Sequence, residues 1–152
     1  MSIFNAMNAS GSALTAQRLR MDVASSNMAN ASSTRATVNE NGEWEPYRRK
    51  MVQLQPEDQS FSSFLQKAKS QNSAAGQGGV KAVEIQEDDE PFKQAYNPSH
   101  PDANEDGYVE MPNVDPLKET VDMMSATRSY EANVTAMNAS KGMLMKALEI
   151  GK

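Results

Sequence analysis

The chain has 152 residues, a formal net charge of −5 and no cysteine. Its length fits one domain or one elongated subunit, and the absence of thiols excludes disulfides, thiolate nucleophiles and zinc–thiolate sites. The only basic run is Arg48-Arg49-Lys50, whereas a nucleic-acid-binding surface needs a clustered positive face, so nucleic acid is not expected as a partner.

The apolar content is low for a chain that folds around its own core. Leu, Ile, Val and Phe together supply 23 of the 152 residues, which is below the roughly 20% that an independent core normally needs. The 11 methionines make up part of the deficit, with flexible side chains that suit shared surfaces. Two interpretations remain, a loosely packed helical domain and a chain that completes its core with neighbouring subunits. The composition favours the second.

The first residues do not have the pattern of a cleavable secretory signal. They read Met-Ser-Ile-Phe-Asn-Ala, with neither a basic start nor an apolar run. Elsewhere no stretch approaches the ~18 apolar residues of a membrane-spanning helix. We therefore expect no membrane span, and any export would use a route that does not read a Sec signal.

Heptad spacing near the N-terminus predicts a long amphipathic helix. Apolar residues recur at every seventh position over about the first 30 residues, with a second series between them on the same stripe. The remaining positions are small or polar, so the helix needs packing partners for its stability. The residues expected to pack against other subunits are Ile3, Met7, Leu14, Met21 and Met28.

A second amphipathic helix is predicted for about the last 35 residues. Asp115 suits the N-cap and Pro116 the first helical position, while Gly151 is expected to end the helix. Two apolar stripes lie between them. Their predicted packing residues are Leu117, Val121 and Met124 in the first stripe, and Tyr130, Val134, Met137, Leu144 and Leu148 in the second.

The middle of the chain predicts a small β-rich insert. Strands are expected at residues 47–54, 80–85, 92–96 and 107–111, a short helix at 60–69 and a flexible linker at 70–79. The acidic run at residues 87–90 is interpreted as a solvated turn. The predicted fold class is therefore mainly α with a small β insert. The predicted domains are a discontinuous helical core at 1–36 and 112–152 and an insert at 37–111.

One segment partly matches a calcium-binding motif. Asp102, Asn104, Asp106 and Gly107 stand where an EF-hand loop has its first oxygen ligands and its turn glycine. The twelfth position is Asn113, which cannot supply the bidentate carboxylate that closes such a loop. An ordinary polar turn is favoured, and a calcium-binding module at 102–113 remains the alternative from a different functional class.

The only histidine, His100, lies in the same loop. Without a second histidine or a cysteine it has no obvious co-ligand, so a solvated loop residue is favoured over a metal ligand. No motif places a base beside a nucleophile. We therefore expect no cofactor, no metal and no enzymatic activity.

Segments near both ends of the chain indicate a protein family more specifically than the composition does. Residues 11–30 resemble the signature of bacterial flagellar rod and hook proteins, and residues 107–115 and 124–133 are similar to the proximal-rod branch of that family, as are residues 46–50 and 78–81. In this sequence Tyr47 follows an insertion, and residues 61–71 do not map onto the family. The residues that carry the resemblance are Gln17, Arg18, Met21, Asp22, Asn27, Ala29, Asn30, Tyr47, Arg48, Gly107, Tyr108, Val109, Pro112, Asn113, Val114, Arg128, Tyr130 and Asn133.

The resemblance implies an axial protein of the flagellar basal body. In that family the terminal helices pair as a coiled-coil-like unit around an export channel, and the β insert projects outward. The implied partners are further copies, other rod proteins, the junction between the rod and the MS ring, and the flagellar type III export apparatus. The implied location is the periplasmic part of the basal-body rod, reached without a cleavable signal. A rod subunit at another level is the sibling alternative.

Overall fold

The computed structural model describes residues 3–39, 42–57 and 79–150, with the backbone alone for Ile3. Two long helices flank short strands, which confirms a mainly helical fold with a small β insert. The pairing of the helices as a coiled coil stays a prediction. In chain order the elements are α1 (Ile3–Ala29), β1 (Thr37–Val38), β2 (Trp44–Glu45), β3 (Lys50–Pro56), β4 (Val80–Glu87), β5 (Lys93–Tyr96), β6 (Tyr108–Met111) and α2 (Pro116–Ile150).

Helix α1 forms over about the predicted residues and ends in a side-chain cap. The backbone N–H and the side-chain Nδ2 of Asn30 both donate to the carbonyl of Ser26, at 3.1 and 2.9 Å. These bonds satisfy a carbonyl that has no partner within the helix. The buried positions of α1 are small or polar, namely Ala16, Ala24 and Asn27, so the helix can approach its neighbours closely on this side.

Helix α2 begins as predicted. The backbone N–H of Leu117 donates to Oδ1 of Asp115 at 3.0 Å, and Pro116 is the first helical residue. This is the N-cap that the sequence indicated, and it satisfies a free donor of the first turn. The helix ends at Ile150 after 35 residues, a length of about 50 Å. Gly151 lies outside the described residues.

Within the part of the chain that the structure describes, the strands form three two-stranded sheets. The predicted strands at 80–85, 92–96 and 107–111 are present as β4, β5 and β6, and β5 pairs antiparallel with β6 in the register Lys93↔Met111 to Tyr96↔Tyr108. β3 pairs with β4. The predictions of a helix at 60–69 and of a linker at 70–78 fall outside the described residues.

Two features of the insert differ from the prediction. The strand expected to start at Tyr47 starts at Lys50, because the N–H of Tyr47 donates to the carbonyl of Ser33 and that of Arg49 to Oδ1 of Asn113, away from β4. The hairpin of β1 and β2, with Val38 opposite Trp44, was not predicted at all. Its signal in the sequence was the Asn-Gly pair at positions 41 and 42, and in the structure Gly42 has a φ of +84°.

The backbone divides into two compact units. Unit 1 comprises Met1–Leu19, Gln53–Glu84 and Ser125–Lys152, and unit 2 comprises Arg20–Val52 and Ile85–Met124. In unit 1, Ser12 Oγ accepts from the N–H of Val80 at 3.0 Å. The buried apolar residues of unit 2 include Val109 and Val114. The division into a helical core and an insert at 37–111 stays a prediction. Within the described residues, no helix is long and apolar enough to cross a membrane.

Gly107 provides a stability test within unit 2. Its φ is +81°, and a Cβ there would lie 3.0 Å from the Tyr96 ring and 3.2 Å from Cβ of Pro98. We expect Gly107→Ala to lower the free energy of unfolding by about 2 kcal/mol, through backbone strain and crowding together. Urea unfolding followed by the fluorescence of Trp44 measures the loss. Gly42→Ala is the matched control, since Gly42 shares the positive φ but has open space around it. Equal losses in both variants would contradict the crowding.

Candidate functional site

A cluster of buried polar side chains lies in unit 2. We call it the polar junction and define it as Asn27, Tyr47, Arg49, Asp88, Asn113 and Glu119. Five of its members are almost fully buried, with exposed fractions of 0% for Asn27, 2% for Glu119, 4% for Asn113 and 8% for both Arg49 and Tyr47. Charged residues are rarely buried to this degree unless they are paired. The junction is therefore the most specific feature of the described structure.

Asn27, near the end of α1, uses its whole amide. Its Nδ2 donates to the carbonyl of Lys50 at 2.8 Å and to Oε2 of Glu119 at 3.0 Å. Its Oδ1 accepts from the N–H of Lys50 at 2.9 Å and from the hydroxyl of Tyr47 at 3.0 Å. The amide thus bonds both backbone groups of Lys50, as a neighbouring strand would. It thereby connects α1 to the first residue of β3 and to α2.

Arg49 lies between two carboxylates. Its Nε donates to Oε1 of Glu119 at 2.6 Å, its NH1 donates to Oδ2 of Asp88 at 3.1 Å, and its NH2 lies 3.5 Å from Oδ2 of Asp122. Burial acts to lower the pKa of Arg49, but the hydrogen bonds and charges of Glu119 and Asp88 outweigh it and raise the pKa overall. The guanidinium therefore stays charged, and the cluster is a buried ion pair with a second carboxylate beside it.

Asp88 belongs to the segment between β4 and β5. Its pKa is lowered from the usual 3.8, chiefly by the hydrogen bond from the backbone N–H of Glu90, and further by Arg49, against the opposing effect of burial. The expected solvated turn at residues 87–90 was therefore wrong for Asp88, whose side chain is only 13% exposed. The physical reason is that Arg49 supplies a charge partner from a distant part of the sequence.

Asn113 completes the junction. Its Oδ1 accepts from the N–H of Arg49 at 2.8 Å, and its Nδ2 donates to the carbonyls of Asp88 and Glu90 at 3.3 and 3.1 Å. The N–H of Asp88 donates back to the carbonyl of Arg49 at 2.8 Å. These bonds explain why β3 begins only at Lys50, since the backbone of Arg49 is already bonded on both sides.

The junction is chemically saturated. Among the described residues, no buried side-chain nitrogen or oxygen lacks a hydrogen-bond partner. A general base or nucleophile needs a lone pair directed at a substrate, and the buried carboxylates here direct theirs at Arg49 and Asn27. The arrangement can fix the geometry of three chain segments, and we find no group in it that is free to react.

The structure brings some of the motif residues together. Asn27, Tyr47 and Asn113 belong to the junction, and the guanidinium of Arg48 lies 4.5 Å from the ring centroid of Phe92. The others in unit 2 are Met21, Asp22 and Ala29 on α1, Asn30 directly after it, and Gly107, Tyr108, Val109, Pro112 and Val114, of which Gly107, Val109, Pro112 and Val114 are buried. Motif residues that lie in unit 1 are Gln17, Arg18, Arg128, Tyr130 and Asn133.

Sequence reasoning missed three members of the junction, Arg49, Asp88 and Glu119. Arg49 was visible as part of a basic run and of the family-like segment 46–50, but not as a site residue, and Glu119 as an ordinary acidic residue in the first turn of α2. The available signal was indirect, since polar residues of the motifs such as Asn27 and Asn113 needed partners that the motifs did not name.

The predicted packing residues divide by exposure. The three residues of the first stripe of α2 and the last residue of the second stripe are at least half exposed. Their exposed fractions are 75% for Leu117, 53% for Val121, 50% for Met124 and 71% for Leu148. The half-buried ones are Met7, Leu14, Met21, Met28, Tyr130, Val134, Met137 and Leu144. The side chain of Ile3 is outside the description. Their role in subunit contacts stays a prediction.

In the loop that partly matches a calcium site, Asp102, Asn104 and His100 already have hydrogen-bond partners within the protein. Asp102 accepts from Thr34 Oγ1 at 2.9 Å and from Arg35 Nε at 2.7 Å, and Arg35 lowers the pKa of Asp102. Oδ1 of Asn104 accepts from the N–H groups of two following residues, and Nδ1 of His100 accepts from the N–H of Asp102. In the described ranges, no group of three or more His, Asp or Glu side chains could hold a metal ion.

Comparison with known proteins gives consistent matches at both ends and over the full length. The family model for the flagella basal body rod protein matches residues 7–37, and that for the flagellar basal body rod FlgEFG protein C-terminal region matches residues 105–150. The chain is 64% identical to the flagellar basal-body rod protein FlgC of Bacillus subtilis (strain 168) over the whole of both chains. It is 41% identical to that of Escherichia coli O6:H1, again over the whole of both, and 40% identical to that of Borreliella burgdorferi over 99% of this chain and 98% of the relative.

The buried ion pair predicts a large and coupled loss of stability. We expect Glu119→Gln or Arg49→Met alone to lower the free energy of unfolding by about 3 kcal/mol, because Arg49→Met leaves the buried Glu119 without a cation and Glu119→Gln removes the nearest carboxylate of Arg49. The double variant should lose clearly less than the sum of the two. Urea unfolding of the four proteins in the cycle measures the coupling.

An exposed pair of equal length is the control for that cycle. Nζ of Lys146 lies 2.6 Å from Oε2 of Glu149, with both side chains more than half exposed. Removing either should change stability by about 0.5 kcal/mol or less. Additive losses at Arg49 and Glu119 would show that their contact contributes nothing beyond an exposed pair.

The lowered pKa of Asp88 predicts acid sensitivity. Because the folded pKa lies below the usual 3.8, the stabilisation is complete above the unfolded value and is lost as the pH falls through the folded value. We expect the free energy of unfolding to decrease once the pH is lowered below about 4. The Asp88→Asn variant should show a smaller decrease over the same pH range. Asp89→Asn, at the exposed neighbouring carboxylate, is the control. In this variant the free energy of unfolding should decrease with falling pH as steeply as in the parent.

Proposed function

The chain belongs to the FlgC family of flagellar basal-body rod proteins, and on this basis we propose that it is a structural subunit of the rod that polymerises through its terminal helices. Its relatives carry the rod-protein name over their whole length. Its place is the flagellar basal body and its partners are other rod proteins. The finer elements of the proposal concern the level in the rod, the contacts and the route of export.

The observation that carries the proposal is the exposure of the predicted packing residues of α2. Leu117, Val121 and Met124 of the first stripe and Leu148 at the end of the second are each at least 50% exposed. A chain with few large apolar residues gains little by placing them in water, and the first stripe, at spacings of four and three, is the kind of contiguous exposed apolar surface that is typical of protein contacts. The two stripes therefore support contact with neighbouring helices, in which the packing residues of α1 and α2 are covered.

The polar junction supports a mechanical role within the subunit. It joins the end of α1 to the start of α2 through Asn27 and Glu119, which bond at 3.0 Å, and it fixes the start of β3 beside them. Buried, fully bonded polar groups specify one geometry, since a shifted arrangement would leave several of them unpaired. A subunit that transmits torque needs such a defined connection, and in this proposal the junction supplies it without any chemistry.

The remaining elements rest on the resemblance and the sequence. The motif at residues 107–115 supports the proximal rod over the sibling alternative of another level. Export by the flagellar type III apparatus into the periplasmic space is proposed from the family resemblance. In this proposal residues 1–36 and 112–152 form the axial core, which pairs its helices and contacts the MS-ring junction and other subunits, and residues 37–111 project outward.

Leu148, an exposed residue of the second stripe, tests assembly without disturbing the fold. We expect Leu148→Asp to leave the circular dichroism of the monomer unchanged but to abolish swimming, because a carboxylate would be buried in the subunit contact. The readouts are swimming of a strain that carries the variant as its only copy, and mass spectrometry of salt-washed basal bodies. Ala139→Asp, at an exposed position on the other side of α2, is the matched control and should swim.

The two measurements separate the parts of the proposal. If the parent chain is absent from intact basal bodies, the assignment to the rod is overturned. If the parent chain is present in basal bodies and the Leu148→Asp strain swims normally, the rod assignment stands, and the second stripe is not a subunit contact at Leu148.

A further inference from the structure

Charge is distributed unequally between the two units. Unit 1 holds eight Lys and Arg against five Asp and Glu, a net charge of +3, and unit 2 holds seven against fifteen, a net charge of −8. The overall value of −5 conceals this difference. A chain with one positive and one negative unit attracts a second copy most strongly when unlike units meet, and such pairing steers association.

Unit 2 has a groove suited to receive a cation. It has a volume of about 440 Å³ and lies between the β1–β2 hairpin, which contributes Glu43 and Trp44, and the loop and strand around Asn104, Tyr108 and Glu110. Trp44, the only tryptophan of the chain, is 59% exposed there, and Tyr108 is 42% exposed. Large aromatic side chains left in water beside carboxylates are typical of contact surfaces.

Both walls of the groove are held in place. On one side the N–H of Glu43 donates to Oδ1 of Asn39 at 2.9 Å, which fixes the hairpin turn. On the other side the ring of Tyr108 packs edge-on against Tyr96, with centroids 5.3 Å apart. Arg35 and Asp102, which also line the groove, are bonded to each other, so their two charges compensate. The groove therefore exists before any partner binds, which reduces the entropic cost of association.

The groove is left with two uncompensated carboxylates and an aromatic face. Glu43 and Glu110 are exposed, and neither forms an ion pair with another described residue. A guanidinium can stack on an indole while it donates to carboxylates, a combination that an ammonium group matches less well. The chemistry of the groove therefore fits an arginine side chain.

Two arginines of the chain are available as its occupant. Arg35 and Arg49 are ion-paired, Arg48 lies over Phe92, and Arg20 also has a partner. Arg18 and Arg128 are exposed and form no ion pair among the described residues. Both belong to unit 1, the positive one.

We propose that the groove at Trp44, Glu43 and Glu110 on one copy binds Arg18 or Arg128 of a second copy of this chain, so that unit 2 of one molecule meets unit 1 of the next. This inference rests on the proposed function, since it supplies one contact of the polymer. The contact is heterologous, with different surfaces on the two partners, and repetition of such a contact generates an open helical assembly.

Reciprocal charge reversal tests the pairing. The first variant carries Arg18→Glu and Arg128→Glu, and the second carries Glu43→Arg and Glu110→Arg. In each variant alone, like charges face each other, so we expect self-association to weaken about tenfold or more. An equimolar mixture restores opposite charges and should associate again. Sedimentation velocity at low salt measures association of the full-length proteins, and 0.5 M NaCl should weaken it by screening.

The fluorescence of Trp44 reports on the groove itself. Because it is the only tryptophan, a blue shift on association, present in the parent and in the mixture but absent in each single variant, supports the assignment. Two charge-matched controls, Lys81→Glu with Lys146→Glu and Glu105→Arg with Asp106→Arg, change exposed residues outside the groove and should associate like the parent. Circular dichroism checks that all variants keep their helices.

Three outcomes overturn the inference. These are self-association that survives both reversals, a mixture that stays dissociated, and a shift of Trp44 that requires another rod protein in place of a second copy. None of them bears on whether the chain is found in basal bodies, so the rod assignment is judged separately by that measurement.

Discussion

The saturated amide of Asn27 is the interaction on which the arrangement of unit 2 depends. Its four hydrogen bonds reach Tyr47, both backbone groups of Lys50 and Glu119, so a single side chain connects α1, β3 and α2. Glu119 then extends the connection to Arg49 at 2.6 Å. Since Asn27 is 0% exposed, water cannot replace a lost partner, and each bond is protected by the cost of leaving its groups unpaired.

Polar and apolar groups are distributed unusually for a small protein. Ion-paired and amide side chains are among the most buried of unit 2, beside Val109 and Pro112, while Leu117 and Leu148 are more than 70% exposed. Buried ion pairs contribute geometry more than stability, because desolvation offsets much of the attraction. A subunit built in this way has a specified shape and a modest core, and it gains further stability when neighbours cover its apolar stripe.

Much of the fold could be predicted from the sequence, because the relevant signals are local. The spacing of Met7 and Leu14 indicated α1, and Asp115 with Pro116 marked the start of α2 within one turn. The strand ends were less predictable. β3 starts three residues later than expected because the backbone of Arg49 bonds Asn113 and Asp88, and no local pattern encodes that competition. The hairpin at Trp44 was missed although its Asn-Gly turn was visible.

The sequence by itself determined the family, the two helices and the shortage of apolar core, since these depend on periodicity, motifs and composition. Only the tertiary structure decided which polar residues converge. Arg49 bonds Asp88, 39 residues away in the sequence, and Glu119, 70 residues away. Without knowledge of such partners, a charged residue is predicted to be exposed to solvent. The physical reason is that burial of a charge depends on its distant neighbours, whereas helix formation depends mainly on residues within a turn or two.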